Sequence, residues 1–134
     1  MTRIELRLVT GNRTDAGTDG NVVLGLGGRE FFVDSQGDVN DFEKNSDRTY
    51  VFGSGANVNR PTENDPRNPW QVDSNDIGRD PRYIRFEPGG GGDWNLERAE
   101  VRAFFTNSTV TLSRLDGGAH LWLGARRGEI LYFP

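Results

Sequence analysis

The sequence predicts an all-β fold, an antiparallel β-sandwich, with a β-barrel as the alternative. Apolar and polar residues alternate with a period of two in many short segments, as they do in strands that bury one face. Turn-forming residues separate these segments, and the 134 residues include 18 glycines and 6 prolines. We find no segment of useful length with a helical period. About eight short strands with regular turns are typical of a sandwich, and the length suits a single domain over residues 1–134.

The first four strand candidates lie before residue 53. Arg3 to Val9 alternates apolar with charged residues, which predicts a half-buried strand. Val22 to Leu26 repeats the pattern, and Gly27-Gly28 supplies a tight turn into a returning strand at Glu30 to Val33. A short strand at Thr49 to Phe52 follows a loop that is rich in Asp, Gly and Asn. The first half of the chain therefore predicts one clear hairpin between two further strands.

The second half contains the longest strand candidate. Tyr83 to Glu87 is a short alternating strand, and Asn95 to Phe105 is the longest one, although its start also fits a short helix. The remaining strands are predicted at Thr109 to Ser113, Ala119 to Leu123 and Ile130 to Phe133, with turns at Asp116 to Gly118 and Arg126 to Gly128.

Residues 53–80 carry little periodicity. The stretch holds three prolines and many Asn and Asp residues, which do not sustain a central strand. Long loops in compact domains are usually functional or mobile. We therefore expect a loop insertion at residues 53–80, in which Ala56 to Trp70 forms a surface excursion and Trp70 to Val72 anchors it to a sheet edge.

Composition and charge exclude several function classes. A net charge of −4 and a pI near 5.0 argue against a nucleic-acid partner, because phosphate binding needs clustered positive charge and only Arg126-Arg127 forms a basic pair. The absence of cysteine rules out disulfides and thiolate metal sites. The first residues are charged and alternating, and no apolar run reaches about 18 residues, so neither a signal peptide nor a transmembrane segment is expected. The compartment is not indicated.

The sequence gives little support for an enzyme. His120, the single histidine, lies in a predicted strand, where such a residue is usually structural. No serine has the context of a nucleophile elbow, and nothing selects a catalytic pair of carboxylates. The glycine runs lack the helix and lysine of a phosphate-binding loop and are better explained as turns. We expect no catalytic activity.

The loop from Thr10 to Asn21, TGNRTDAGTDGN, is the first candidate for ion binding. Asp, Asn and Gly tolerate left-handed backbone conformations, so this loop can fold back and point oxygen atoms inward, and hard cations bind oxygen clusters. The alternative is that Asp15, Asp19 and Asp41 cap turns through hydrogen bonds to the backbone, as loop aspartates usually do.

The order of these segments resembles the PLAT (LH2) domain family over most of residues 1–105. The matching residues are Thr10-Gly11, Asp15 to Asp19, Asn40-Asp41-Phe42 with Asp47, Thr49 and Tyr50, the strand Tyr83 to Glu87, and Asp93-Trp94 ahead of Leu96, Glu97 and Val101. The resemblance implies two four-stranded antiparallel sheets. It also implies a noncatalytic module of the kind that lipoxygenases, lipases and a clostridial phospholipase use for membrane or partner binding, often with calcium.

The resemblance also implies a set of calcium ligands. They are the carboxylates of Asp15, Asp41 and Asp93 and the carbonyl oxygens of Gly17, Asn40 and Trp94. Six oxygens suit Ca²⁺ better than the stricter octahedron of Mg²⁺, and the lack of thiols and of a second histidine makes zinc improbable. We assign Asp19 to a turn. Asp34, Asp38 and Asp47 could serve a second ion, although solvated loop charge explains them better.

Aromatic residues near the predicted loops suggest a contact surface. Phe42 or Trp70 at a loop tip could enter a bilayer interface beside the ion, where Ca²⁺ would bridge to anionic headgroups. Trp94 is expected to pack beneath the loops. The sequence therefore favours a calcium-dependent module for lipid or membrane surfaces. The alternative is a protein or carbohydrate interaction domain with a structural calcium ion.

Overall fold

The computed structural model describes residues 1–115, 117 and 121–134. Its elements, in chain order, are β1 (Arg3–Thr10), β2 (Asn21–Leu26), β3 (Arg29–Val33), β4 (Asp47–Gly53), α1 (Ser74–Arg79), β5 (Tyr83–Glu87), β6 (Trp94–Phe104), β7 (Thr109–Leu123) and β8 (Ile130–Tyr132). One sheet has the strand order β4-β1-β6-β7 and the other β3-β2-β5-β8, and every pairing is antiparallel. The predicted sandwich of two four-stranded sheets is confirmed.

The core lies between the two sheets and follows from the period-two pattern. On β1, Ile4, Leu6 and Leu8 are buried while the residues between them are partly exposed. The largest fully buried side chains come from both sheets and are Trp94, Tyr50, Phe31, Phe52 and Phe86. Packing across the sandwich is direct, since the ring centroids of Phe31 on β3 and Phe52 on β4 are 5.6 Å apart. Burial of these faces is the main source of stability.

Two predicted strands are parts of one. Thr109 to Ser113 and Ala119 to Leu123 both fall within β7, which pairs with β6 through register shifts near Arg98. Extra residues in a bulged strand bend the strand without ending it, which local turn signals do not reveal. Asp116, Gly118 and His120 lie outside the described residues. The predicted turn at residues 116–118 and the predicted structural role of His120 therefore stay predictions.

Residues 54–73 run along one side of the sandwich, where most of them are exposed and a few are buried. β3 and β4 are edge strands on the same side, and Val58 is fully buried beside them and pairs with Ser35. The side chain of Asn57 accepts from the Val51 amide at 2.7 Å and donates to the Thr49 carbonyl at 2.9 Å. Asn64 likewise accepts from the Phe32 amide at 2.8 Å. Asparagine amides thus take the place of a neighbouring strand.

A short helix, α1, follows this segment where the sequence predicted only a loop. Asp73 accepts hydrogen bonds from the amides of Asn75 and Asp76, and the Asp76 carboxylate accepts from the Asp73 amide in return. This capping box satisfies amides that a helix start would otherwise leave unpaired. Ile77 is buried against the core, which a six-residue pattern was too short to indicate. No helix in the described part of the chain is long and apolar enough to cross a membrane.

Four connections lie together at one end of the sandwich, because successive strands run in opposite directions. They are residues 11–20, 34–46, 88–93 and 124–129, and we call this end the loop end. The β2–β3 turn, the 54–82 segment and the β6–β7 turn lie at the opposite end. The predicted ligands all belong to the loop end or to the strand that begins there.

Candidate functional site

Direct hydrogen bonds join three connections of the loop end. The Thr18 amide donates to the Phe42 carbonyl at 3.1 Å, and the Thr18 hydroxyl donates to the Gly91 carbonyl at 3.0 Å. The Asn95 amide donates to the Ala16 carbonyl at 2.9 Å. A Cβ atom at Gly17 would lie 2.8 Å from the Lys44 amide nitrogen, so the absence of a side chain lets residues 42–44 approach. The protein chain itself holds these connections in place.

Asp41 is engaged by groups of β3, β4 and the connection between them. Its carboxylate accepts from the Ser35 amide at 2.9 Å, the Ser35 hydroxyl at 2.6 Å and the Tyr50 hydroxyl at 3.0 Å. The Arg48 Nε lies 3.8 Å away, and the Asp41 side chain is only 7% exposed. Burial raises the pKa of the Tyr50 phenol strongly, and the nearby Asp41 charge raises that pKa further. Asp41 therefore caps a turn, partly through its hydrogen bond from the Ser35 amide. This is the alternative role that the sequence indicates for the loop aspartates.

Asp93 is engaged by the β7–β8 connection. Arg127 Nε lies 3.0 Å from the Asp93 Oδ2, and the guanidinium carbon of Arg127 stands 5.4 Å from the centre of the Trp122 ring. A Cβ atom at Gly124 would lie 2.0 Å from the Asp93 Oδ1, so the carboxylate packs against the backbone of Gly124. Asp93, one of the predicted calcium ligands, thus already has a cationic partner in Arg127.

The predicted calcium ligands are divided between two clefts. Asp15, Gly17 and Asp93 line a cleft of about 540 Å³ together with residues 90–92, Trp122 and Arg127, which we call the Asp93 cleft. Asn40 and Asp41 line a separate cleft of about 220 Å³ formed by residues 18–21, 32–34 and 39–42. Asp15 is exposed and has a left-handed backbone with φ of 59°. Asn40 is exposed, whereas Trp94 is buried.

The residues present do not fit the six-oxygen calcium cage that the resemblance implies. In the described part of the chain, no three acidic or histidine side chains lie close enough together to hold a metal ion. Asp41 is turned toward Ser35 and Tyr50, and Asp93 toward Arg127. A carboxylate that is already paired and hydrogen-bonded gains less from a cation. In this structure the three predicted carboxylates therefore stand apart, and the shared ion stays a prediction.

The two aromatic contact candidates also differ from expectation. Phe42 is 5% exposed, and its ring centre lies 5.2 Å from that of Trp94 and 5.9 Å from that of Tyr50. It is a core residue and is not available to a membrane, because its ring packs against Trp94 and Tyr50. Trp70 is 66% exposed, as expected, but its segment contacts Met1 at the end opposite the loop end. Trp94 is fully buried beneath the loops, as predicted.

Sequence reasoning missed the residues that neutralise the predicted ligands. The sequence predicts Tyr50 as a strand residue and Arg127 as part of a turn, and gives neither of them a role beside a carboxylate. The Arg126-Arg127 pair was a usable signal, since a basic pair between strands whose neighbouring connections are acidic can supply a cation. Nothing in the sequence indicated which carboxylate it would meet.

Solved structures share the fold at low sequence identity. The C2-like domain of coral 8R-lipoxygenase, whose structure was described in terms of calcium activation via that domain, matches 98% of this chain with a TM-score of 0.59 and 18% identity. Alpha toxin from Clostridium absonum matches 100% of this chain with a TM-score of 0.64 and 17% identity. The chain spans 16% and 31% of those two proteins. The fold is thus that of C2-like PLAT/LH2 domains. No family profile and no curated protein matches the sequence.

Proposed function

We propose that this chain is a noncatalytic β-sandwich module that binds lipid or membrane surfaces. The whole chain has the fold of a domain that forms only 16% and 31% of two larger proteins, which supports an accessory role over a catalytic one. The resemblance to PLAT/LH2 domains implies membrane or partner binding. Fold alone does not fix function, so the proposal depends on a surface of this chain.

Trp70 supplies the observation that carries the proposal. Its side chain is 66% exposed, the highest value among the large apolar residues that the structure describes. Both sides of it are held to the protein, since the Val72 amide donates to the Pro66 carbonyl at 3.0 Å and the Gln71 side chain donates to the Met1 carbonyl at 3.3 Å. An indole held in solvent by an anchored segment suits the membrane interface, where tryptophan is enriched.

Contact through Trp70 rests on its exposed indole and not on charge. Exposed charges of both signs lie near Trp70, for example Arg67 and Asp73. The loop end is also mixed, with exposed acidic residues beside the exposed cations Arg13, Lys44 and Arg126. Binding through Trp70 needs apolar insertion and no cation bridge, so the calcium dependence that the resemblance implies is left out of the proposal.

Vesicle sedimentation tests this function. Full-length chain is mixed with phosphatidylcholine vesicles, with and without added phosphatidylserine, in the presence of Ca²⁺ or a chelator. We expect the wild type to sediment with vesicles under both metal conditions and Trp70→Ala to lose most of this binding. Tyr132→Ala is the matched control, since Tyr132 is 57% exposed on β8 and packs against Tyr83 with ring centres 6.0 Å apart. A wild type that ignores every vesicle would overturn the proposal.

A protein partner is the second candidate, and a surface at the edge of the other sheet favours it. β8 is an edge strand of only three residues, on which Ile130 is 41% and Tyr132 is 57% exposed. Exposed edge strands with apolar side chains can accept a strand from another protein. In the vesicle experiment, this second function predicts that the wild type sediments with no vesicle.

A further inference from the structure

The β7–β8 connection presents Arg127 to the acidic group of the β5–β6 connection in a fixed geometry. The Gly124 amide donates to the Gly128 carbonyl at 2.9 Å, and the Arg127 amide donates to the Gly124 carbonyl at 3.1 Å, so the turn is closed by its own backbone. Trp122 supports the guanidinium from below at 5.4 Å. The side chain of Arg127 is therefore positioned before it meets Asp93.

The carboxylate of Asp93 packs against this turn. Its Oδ1 lies where a Cβ of residue 124 would stand, at 2.0 Å from that position, so only glycine allows the approach. Its Oδ2 lies 3.0 Å from the Arg127 Nε. Both oxygens are thus directed to the β7–β8 connection, and Asp15 is the other carboxylate on the Asp93 cleft.

The loop end also needs no ion to bring its connections together. Residues 11–20 are joined to residues 34–46 through the Thr18 amide and to residues 88–93 through the Thr18 hydroxyl. A metal that bridges loops contributes most where the loops have no other contact, because binding then supplies the folding free energy. Here the backbone contacts are already made.

We infer that the Arg127 guanidinium occupies the place of a divalent cation beside Asp93, so that the wild-type loop end does not respond to calcium. A guanidinium is always protonated and cannot dissociate, so it neutralises Asp93 at every calcium concentration. Removing it would leave the Asp15 and Asp93 carboxylates on one cleft without this cation, and oxygen-rich, negatively charged sites attract Ca²⁺. The inference does not depend on membrane binding.

Thermal unfolding with and without calcium tests it in the absence of lipid. We expect the Tm of the wild type to be the same in a chelator and in about 10 mM Ca²⁺, a concentration above the Kd range of weak extracellular calcium modules. Arg127→Ala should fold, since a half-exposed ion pair contributes little stability, and its Tm should rise by several degrees with Ca²⁺. Arg126→Ala, the neighbouring exposed arginine, should behave as the wild type.

Terbium luminescence gives a second readout that does not depend on stability. Trp122 lines the Asp93 cleft and can sensitise a bound Tb³⁺ ion. We expect sensitised emission in Arg127→Ala, its displacement by Ca²⁺, and its loss when Asp93→Asn is added. A wild type whose Tm rises with Ca²⁺ would overturn the inference. It would equally be overturned by an Arg127→Ala variant that shows neither a calcium response nor terbium emission, because Arg127 would then be an ordinary surface ion pair.

Discussion

At the scale of single residues, the surroundings of each aspartate decide its role. Asp41 receives three hydrogen bonds and lies near Arg48, whereas Asp15 stands exposed on a left-handed turn. The two oxygens of a carboxylate can accept from several donors at once. Asp41 thus stabilises the β3–β4 connection by accepting from three donors.

Asp41→Asn should destabilise the protein by roughly 1 to 3 kcal/mol. The substitution replaces one carboxylate oxygen with an NH₂ group, which donates. Either the acceptor of the Ser35 amide, Oδ2, or the acceptor of the Ser35 and Tyr50 hydroxyls, Oδ1, would therefore be lost. Urea unfolding measures the loss. Asp19→Asn on the exposed neighbouring connection serves as the control and should change the unfolding free energy by less than about 0.5 kcal/mol. An Asp41→Asn protein that is more stable than wild type would mean that repulsion among acidic loops dominates.

Asp65 should contribute a pH-dependent part of the stability. The hydrogen bond from the Arg67 side chain is the main cause that lowers the pKa of Asp65 below its ordinary value of 3.8, and burial opposes it. Because the folded-state pKa is the lower one, the stabilisation is complete above pH 3.8 and is lost as the pH falls through the folded-state pKa. Asp65→Asn should therefore flatten the fall in stability below that pH, measured by acid unfolding. An unchanged acid profile would contradict this role.

At the scale of elements, the segment at residues 54–73 acts as a side wall. It follows β4 and β3, and its asparagines satisfy backbone groups that edge strands otherwise leave open. Val58 adds an apolar contact to the core. Open edges are a hazard for aggregation, so the segment protects the sandwich on this side. Proline and asparagine suit this segment, because it follows the strands without continuous backbone pairing and bonds to their edges through asparagine side chains.

Asn64→Ala should lower the free energy of unfolding by roughly 1 to 3 kcal/mol. Asn64 is 5% exposed, accepts from the Phe32 amide at 2.8 Å, and donates to the carbonyls of Asn59 and Arg60 at 3.2 and 3.1 Å. Alanine would leave these partly buried groups without their partner. Chemical unfolding measures the effect, with Asn107→Ala in the exposed β6–β7 turn as the control. Equal stability of the two variants would show that water replaces the asparagine at the β3 edge.

At the scale of the whole molecule, Trp94 joins the loop end to both sheets. It begins β6, is fully buried, and lies with ring centres 5.8 Å from Phe86 on β5 and 5.2 Å from Phe42. Its indole nitrogen donates to the Thr10 hydroxyl at 2.9 Å, at the end of β1. One side chain thus connects both sheets with the 34–46 connection of the loop end, and its loss should lower the stability of the whole domain.

Trp94→Ala should lower the free energy of unfolding by about 3 to 5 kcal/mol. The whole free energy of unfolding of a domain is roughly 5 to 15 kcal/mol, so this is a large part of it. Calorimetry should show a much lower Tm in a single cooperative transition. Trp94→Phe keeps a ring in the core but loses the hydrogen bond to Thr10, so its Tm should lie between those of the alanine variant and the wild type. A transition that splits in two would show that the loop end unfolds separately from the sandwich.

The strands and the fold class were set by local pattern, because period-two alternation assigns each side chain to a face without reference to distant residues. β1 and β5 illustrate this, and so do the buried aromatic residues that face between the sheets. The acidic character of the loop end was equally visible in the sequence. These properties depend on neighbours within a few positions of each other.

Tertiary structure alone decided what each carboxylate and each exposed aromatic residue does. Asp93 and Arg127 are 34 positions apart and meet only because β6, β7 and β8 return to the same end of the sandwich. Asn57 and Asn64 gained their roles from the edges of two strands in different sheets. Electrostatic and hydrogen-bond partners depend on distances of a few ångströms, which sequence spacing does not specify. The sequence therefore determined the strands and the acidic loop end. The tertiary structure determined which ion-pair and hydrogen-bond partners the side chains meet.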